Sequence, residues 1–350
     1  MRRVSARDRA RYGGPAGRTR RRAAGVAAAA AGLLLVAGCH VPGGSSAAAE
    51  PTGSGTVTVV APSTVADAPL YIGMKNGLFR QAGIHVRVIS TDSVRSELSA
   101  LRSGRADIAF GDYADMFYAQ QQKSPDLRIV ANGYDVAPNV MEVLTLPNSP
   151  IMSPESLTGR SIGTAEPQEM PFSTSKPYSL DTIATWSVLS SDNVDPTKIT
   201  WRPMPIVKLI PALRAGQVDA ILATEPTIYA AESQLGAVPL LDSGTGATAN
   251  LPLGGYFTDA AYAKAHAANL AAFRAALLKA QSSASATTPV QGALMHFAGL
   301  TVQTASLVAL GTYPTALQEP DLQRVANLMF NFNAEPPNAG KLTVSSIIAR

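Results

Sequence analysis

The side chains best placed for chemistry are hydroxyls, carboxylates and one tyrosine, and they fall just after short apolar runs. Ser63 and Thr64 follow residues 57–61, with Asp67 close behind; Asp112 and Tyr113 follow residues 106–111; Thr164 follows residues 161–163; Thr224 and Glu225 follow residues 220–223. Hydroxyls and backbone N–H groups at helix starts can hold an anion. Tyr113 can stack on a ring, and Asp112 with Glu225 can accept hydrogen bonds from amino groups. Each residue also has a purely structural use: Ser63 or Thr64 can end a strand, Asp67 can cap a helix, and Glu225 before Pro226 can point to solvent. The four histidines (His40, His85, His266 and His296) are scattered, and Cys39 is the only cysteine. No H-E-x-x-H, G-x-S-x-G, Walker-type or dinucleotide fingerprint is present. These patterns predict a binding protein rather than an enzyme, with no metal and no cofactor.

The elements that must position these residues alternate between strand-like and helix-like segments, which argues for α/β architecture. A β-branched run at 57–61 is broken by Pro62, Ser63 and Thr64, and a helix is expected from Asp67 and Pro69 to about Asn76, ended by Gly77. A strand at 85–90, a helix at 93–103 closed by Gly104, and a strand at 106–110 follow. The segment Ala100-Leu101-Arg102-Ser103-Gly104-Arg105-Ala106-Asp107 recurs as Ala212-Leu213-Arg214-Ala215-Gly216-Gln217-Val218-Asp219, an offset of 112 residues. In both copies a glycine suited to a left-handed helix end precedes an aspartate and then a buried strand. Asp107 and Asp219 are read as satisfying nearby backbone donors rather than touching ligand. Two such units suggest two related lobes. Ligands in open α/β sheets bind beyond the carboxyl ends of strands, so the four loops are expected to converge on a common cleft. Farther on, helices are expected at 263–280 and at 321–330, the latter capped by Asp321.

The formal charge of +4 belongs to the start of the chain: nine of the 29 Lys and Arg residues, and one of the 25 Asp and Glu residues, precede residue 39, leaving a remainder of about −4. A nucleic-acid partner is therefore not expected. The arginine-rich opening leads into the apolar run 23–37, fifteen residues, shorter than the roughly 20 that a membrane-spanning helix needs. It ends Leu35-Val36-Ala37-Gly38-Cys39, which resembles a bacterial lipobox, so residues 1–38 are read as a signal peptide and Cys39 as the site of lipid attachment, with palmitate among its acyl chains. Residues 39–54, rich in Gly, Ser, Ala and Pro, read as a flexible tether.

The centre Met74-Lys75-Asn76-Gly77-Leu78-Phe79, followed by Ala82-Gly83-Ile84, resembles the opening of solute-binding lipoproteins of ABC importers in the nitrate, sulfonate and thiamine-pyrimidine class. The likeness continues through residues 100–111, 156–163 and 212–226. It implies a bilobed, periplasmic-binding-protein-like (type II) α/β fold whose lobes are joined by two hinge segments, here expected near 143–146 and 241–256. Lobe 1 is expected to hold 55–146 and 250–350, and lobe 2 to hold 147–245. The resemblance further implies an extracytoplasmic, lipid-anchored monomer on the cell membrane. It would pass a small-molecule ligand to an ABC permease with its ATPase. A lipoprotein ligand sensor is the alternative, and behind it a pyrimidine-synthesis-like enzyme, though the cysteine-rich motif of those enzymes is missing. The candidate loops are rich in carboxylates and poor in cations, apart from Lys176 in the insert 166–178, with Arg202 the nearest other candidate. That favours a neutral or amino-bearing organic ligand, such as a nitrogen heterocycle of the pyrimidine kind, over a sulfonate or nitrate. Cys39→Ser is expected to release the protein from membranes without lowering its unfolding midpoint, since the thiol lies ahead of the tether; a variant that stays membrane-bound and uncleaved would point to an anchoring helix.

Overall fold

The computed structural model describes residues 53–349 apart from Asp92 and Ser124. The leader, Cys39 and nearly all of the tether lie outside the described residues. The first stretch runs β1 (Thr56–Ala61), α1 (Ala68–Lys75), α2 (Leu78–Gln81), β2 (His85–Ser90), α3 (Val94–Arg102), β3 (Ile108–Asp112), α4 (Tyr113–Gln121) and β4 (Leu127–Asp135). A second follows with β5 (Met141–Thr145), β6 (Ser161–Ala165), α5 (Leu180–Ser191), β7 (Thr200–Met204), α6 (Ile206–Arg214), β8 (Ala220–Thr224), α7 (Thr227–Leu235) and β9 (Val238–Asp242). The chain then returns through β10 (Pro252–Asp259), α8 (Ala260–Ala265), α9 (Ala267–Ala284), α10 (Thr287–Phe297), α11 (Val302–Leu307) and α12 (Glu319–Asn331).

These strands form two five-stranded sheets of the same build, ordered β2-β1-β3-β10-β4 and β7-β6-β8-β5-β9. In each, three parallel strands are followed by one antiparallel strand that the chain supplies on arriving from the other sheet: β10 in the first, β5 in the second. The 112-residue offset carries β3 onto β8, in equivalent positions in the two sheets. Gly104 and Gly216 take φ of 66° and 64°, the left-handed turn required where α3 and α6 end. Asp107 Oδ2 accepts the N–H of Thr58 at 2.7 Å, and Asp219 Oδ2 accepts the N–H of Ser161 at 2.8 Å, each binding the neighbouring parallel strand.

The first hinge differs from expectation. Residues 141–145 are all buried and pair with β8 on one side and β9 on the other, so the segment expected to cross between lobes is a strand of the second sheet. The crossings are 136–140, ahead of the expected 143–146, and 243–251, within the expected 241–256. They run together: the Val136 N–H donates to Leu251 O at 2.9 Å, and the Asn139 N–H to Asp242 Oδ2 at 3.1 Å. The helix expected over 263–280 is two, α8 and α9, because His266 leaves helical geometry at φ −126°, ψ 39°. α12 starts earlier than predicted, with Pro320 in its first turn, and Asp321 does not cap it but pairs with Arg324 at 3.7 Å. α12 packs on both α4 and α5, so the C-terminal stretch touches helices beside both sheets.

The first sheet closes only because three glycines make room for two rings. A Cβ on Gly254 would stand 2.9 Å from Phe110 Cζ, one on Gly255 would stand 2.6 Å from Tyr113 Cζ, and one on Gly133 would meet the Phe110 ring and Gly254 O. Phe110 and Tyr113 are themselves buried. Gly255→Ala is therefore expected to lower stability by roughly 1–3 kcal/mol through overpacking, read as a fall in the urea midpoint. Asp107→Ala is expected to cost about 1–3 kcal/mol by orphaning the Thr58 N–H while leaving ligand affinity unchanged; an affinity loss would return Asp107 to the binding site.

Candidate functional site

A cavity of about 360 Å³ opens between the carboxyl-terminal ends of the two sets of strands, with walls from both. Of the eight predicted contacts, Thr64, Asp112, Thr224 and Glu225 line it, so all but one of the four expected loops bring a predicted residue to it. The exception is the loop after β6. There Thr164 is fully buried in a hydrogen bond with the Tyr178 hydroxyl, and Ala165 and Glu166 face the cavity instead.

Ser63, Asp67 and Tyr113 are also absent from the lining. Ser63 holds a left-handed φ of 61°, uncommon outside glycine. That turn is clasped by Asp67, whose carboxylate accepts the N–H of Ser63 at 3.1 Å and of Thr64 at 2.5 Å. The Ser63 hydroxyl lies 2.6 Å from that of Tyr71. Burial pushes the Asp67 carboxyl up to about 7, against the hydrogen bonds that hold it down. Tyr113, first residue of α4, turns into the core, donates to Asn132 Oδ1 at 3.1 Å and packs on Phe117 and Phe257. The rings that do line the cavity are Phe110 and Tyr134. Lys176 and Arg202 are not among the lining residues.

Three carboxylates that loop position did not reveal complete the walls: Glu97 on α3, Asp115 on α4 and Asp181 on α5. Asp112 caps α4, Oδ1 accepting the N–H groups of Ala114 at 2.8 Å and Asp115 at 3.1 Å. Asp115 faces the other sheet's side, its Oδ1 accepting the N–H groups of Glu169 at 3.1 Å and Met170 at 3.3 Å. Asp181 accepts the Thr182 N–H at 2.8 Å and the Ser179 hydroxyl at the start of α5. Glu225 accepts the Tyr229 N–H at 3.2 Å within α7 and the Ala309 N–H at 2.9 Å from the C-terminal stretch. Burial raises Glu97, and the neighbouring carboxylates Asp67, Asp115 and Asp112 raise it further. Asp112 is raised by burial and by Asp115 and Asp181, and Asp115 is likewise raised by burial. No lysine, arginine or histidine is among the lining residues. Among the described residues no group of three or more His, Cys, Asp or Glu side chains is arranged to hold a metal ion.

Two of these three carried a sequence signal. Asp112 and Asp115 are three apart at a helix start, which puts both on one face. Glu97 shares a helix face with Val94 and Leu101, a carboxylate in an otherwise apolar stripe. Asp181 follows the long insert 166–178, which hides its position.

Comparison with known proteins agrees with this architecture. No curated protein sequence matches the chain. Among solved structures, the periplasmic aliphatic sulphonate binding protein of Escherichia coli superposes with a TM-score of 0.67 at 18% identity, over 84% of this chain and 97% of that one. The periplasmic nitrate-binding protein of Synechocystis PCC 6803 gives 0.66 at 12% identity, over 84% and 86%. The desulfurization enzyme DSZB gives 0.62 at 13% identity, over 84% and 96%, so the same fold also carries catalysis. At these identities the likeness establishes the bilobed α/β fold and leaves the ligand open. The sequence profile of the NMT1/THI5-like family matches residues 65–288, from the first clasped turn through α9, and the chain belongs to that family.

Proposed function

We propose that this chain is the extracytoplasmic solute-binding component of an ABC importer, a monomer held to the membrane by lipid at Cys39. It captures a small organic molecule between its lobes and passes it to a permease driven by an ATPase. The observation that carries this reading is the cavity itself, walled from both sheets beside two crossing segments that run hydrogen-bonded to each other. Two lobes tied along one side can open and close about that pair of segments, and closure buries a ligand from both faces. The solved structures named as sulphonate- and nitrate-binding proteins share this fold.

A catalytic reading finds less support. Of the hydroxyls lining the cavity, that of Ser179 donates to Asp181 at the start of α5 and that of Ser93 sits at the start of α3, donating to Ser96 Oγ at 2.9 Å. Both arrangements belong to helix starts, and among the described residues that line the cavity there is no histidine to accept a proton.

Ligand binding is expected to raise the unfolding free energy by about 2.7 kcal/mol at a hundred times the dissociation constant, and to shrink the radius of gyration measured by small-angle scattering. A saturating ligand that stabilises the protein without compaction would refute hinge closure.

A further inference from the structure

At four of the turns and helix starts beside the cleft the backbone donors that could receive an anion are taken by the chain's own carboxylates; the start of α3 is capped by the Ser93 hydroxyl, and that of α6, at Ile206, has no side-chain cap. Helix starts at the carboxyl ends of strands are ready-made anion sites, because their first N–H groups lack partners. Here Asp112 occupies the start of α4, Asp181 the start of α5 and Glu225 the start of α7. Asp67 occupies the turn before α1. At those four an arriving sulfonate or nitrate would meet carboxylates where it needs donors, with no cationic side chain among the lining residues to offset them.

Glu97 supplies an independent observation. It is 2% exposed, yet among the described residues no donor lies within hydrogen-bond distance of its Oε2, which faces Gly111 on the cavity wall. A buried carboxylate oxygen without a donor is costly and calls for one to be brought in. Around it the cavity also offers apolar surface, from Val65, Val94, Phe110, Met141 and Leu253.

Resting on the solute-binding reading above, we propose that the cleft takes an organic cation: an ammonium, amidinium or guanidinium group on a compact apolar body. Its N–H groups are received by Glu97, Asp112 and Asp115 from one lobe and by Asp181 from the other. Such a ligand provides the donor that Glu97 Oε2 lacks and the positive charge that the facing carboxylates lack, and Phe110 and Tyr134 can lie against its cationic or apolar face.

The test is thermal shift and calorimetry on the purified protein with benzylamine and benzamidine, against benzenesulfonate, nitrate, benzyl alcohol and calcium or zinc chloride, all at millimolar concentration. The amine or amidine is expected to raise the unfolding midpoint saturably. Glu97→Gln is expected to weaken that binding by about tenfold or more, as for loss of one charge-assisted hydrogen bond, without lowering the midpoint of the ligand-free protein. Between about pH 5 and about pH 8 the affinity is expected to rise, because Glu97, raised by burial and by Asp67, Asp115 and Asp112, Asp112, raised by burial and by Asp115 and Asp181, and Asp115, raised by burial and by Glu169 and Asp181, must lose protons to pair with a cation. Saturable binding of benzenesulfonate or nitrate without the amines, strengthening as pH falls, overturns the cation assignment and leaves solute binding intact. A response to calcium or zinc alone overturns it in favour of a metal, and a response to benzyl alcohol equal to that of benzylamine removes the role of charge. No response to any probe, with no compaction in any of them, overturns both readings.

Discussion

At four turns beside the cleft, free backbone N–H groups are held by a carboxylate of the chain itself, and much of the local structure depends on that arrangement. Asp67 allows Ser63 to sit at a left-handed φ after β1. Asp112 starts α4 directly from β3 with no intervening residue. Asp181 starts α5 after a long insert, and Glu225 secures α7 while reaching Ala309 from the C-terminal stretch. The side chains that make the turns foldable also determine the electrostatic character of the cavity, because they cannot leave those turns without exposing buried donors.

Much of the fold could be read from residue pattern because it is written twice. The repeat ending in Asp107 and Asp219 marks the same helix end, left-handed glycine and strand in both sheets. Its two aspartates proved to be clasps between parallel strands. The first hinge was less legible. Residues 141–145 are apolar enough to be a strand, but nothing local tells which sheet the strand joins. That depends on β8 and β9 being available as partners, a long-range fact. The break at His266 was hidden for the opposite reason: the alanine-rich sequence on either side favours helix, and only tertiary packing separates α8 from α9.

The candidate site was legible at the level of loops and less so at the level of side chains. Position after a strand correctly brought Thr64, Asp112, Thr224 and Glu225 to the cavity. It could not say that the residue after Asp112 points away, because the switch from strand to helix at that residue rotates successive side chains by about 100° instead of 180°. Tyr113 is thereby aimed at the glycine gap under β10, and the aromatic surface of the site comes from Phe110 and Tyr134. Glu97 lay in plain sight as a carboxylate within an apolar helical stripe, but the spacing of one helix does not reveal that a cleft lies in front of it.

The distribution of carboxylates between the lobes bears on motion as well as recognition. Asp112 and Asp115 belong to the first sheet's side and feel the charge of Asp181 on the second. Once these carboxylates are ionised, bringing the two walls together works against their repulsion, and the work grows as water leaves and the local dielectric falls. The contacts that join the walls include two N–H groups of the 169–170 loop on Asp115, the Ala309 N–H on Glu225, Arg95 Nη2 donating to Gln168 O at 2.5 Å, the packing of α12 on α5, and an ion pair of Arg95 with Glu169 at 3.5 Å in which Arg95 is 72% exposed. An exposed pair of that kind contributes little. A ligand that closes the cleft firmly must neutralise charge contributed by both walls at once. A ligand doing so binds the closed form in preference to the open one, and only such a difference in affinity lets a small molecule move two lobes.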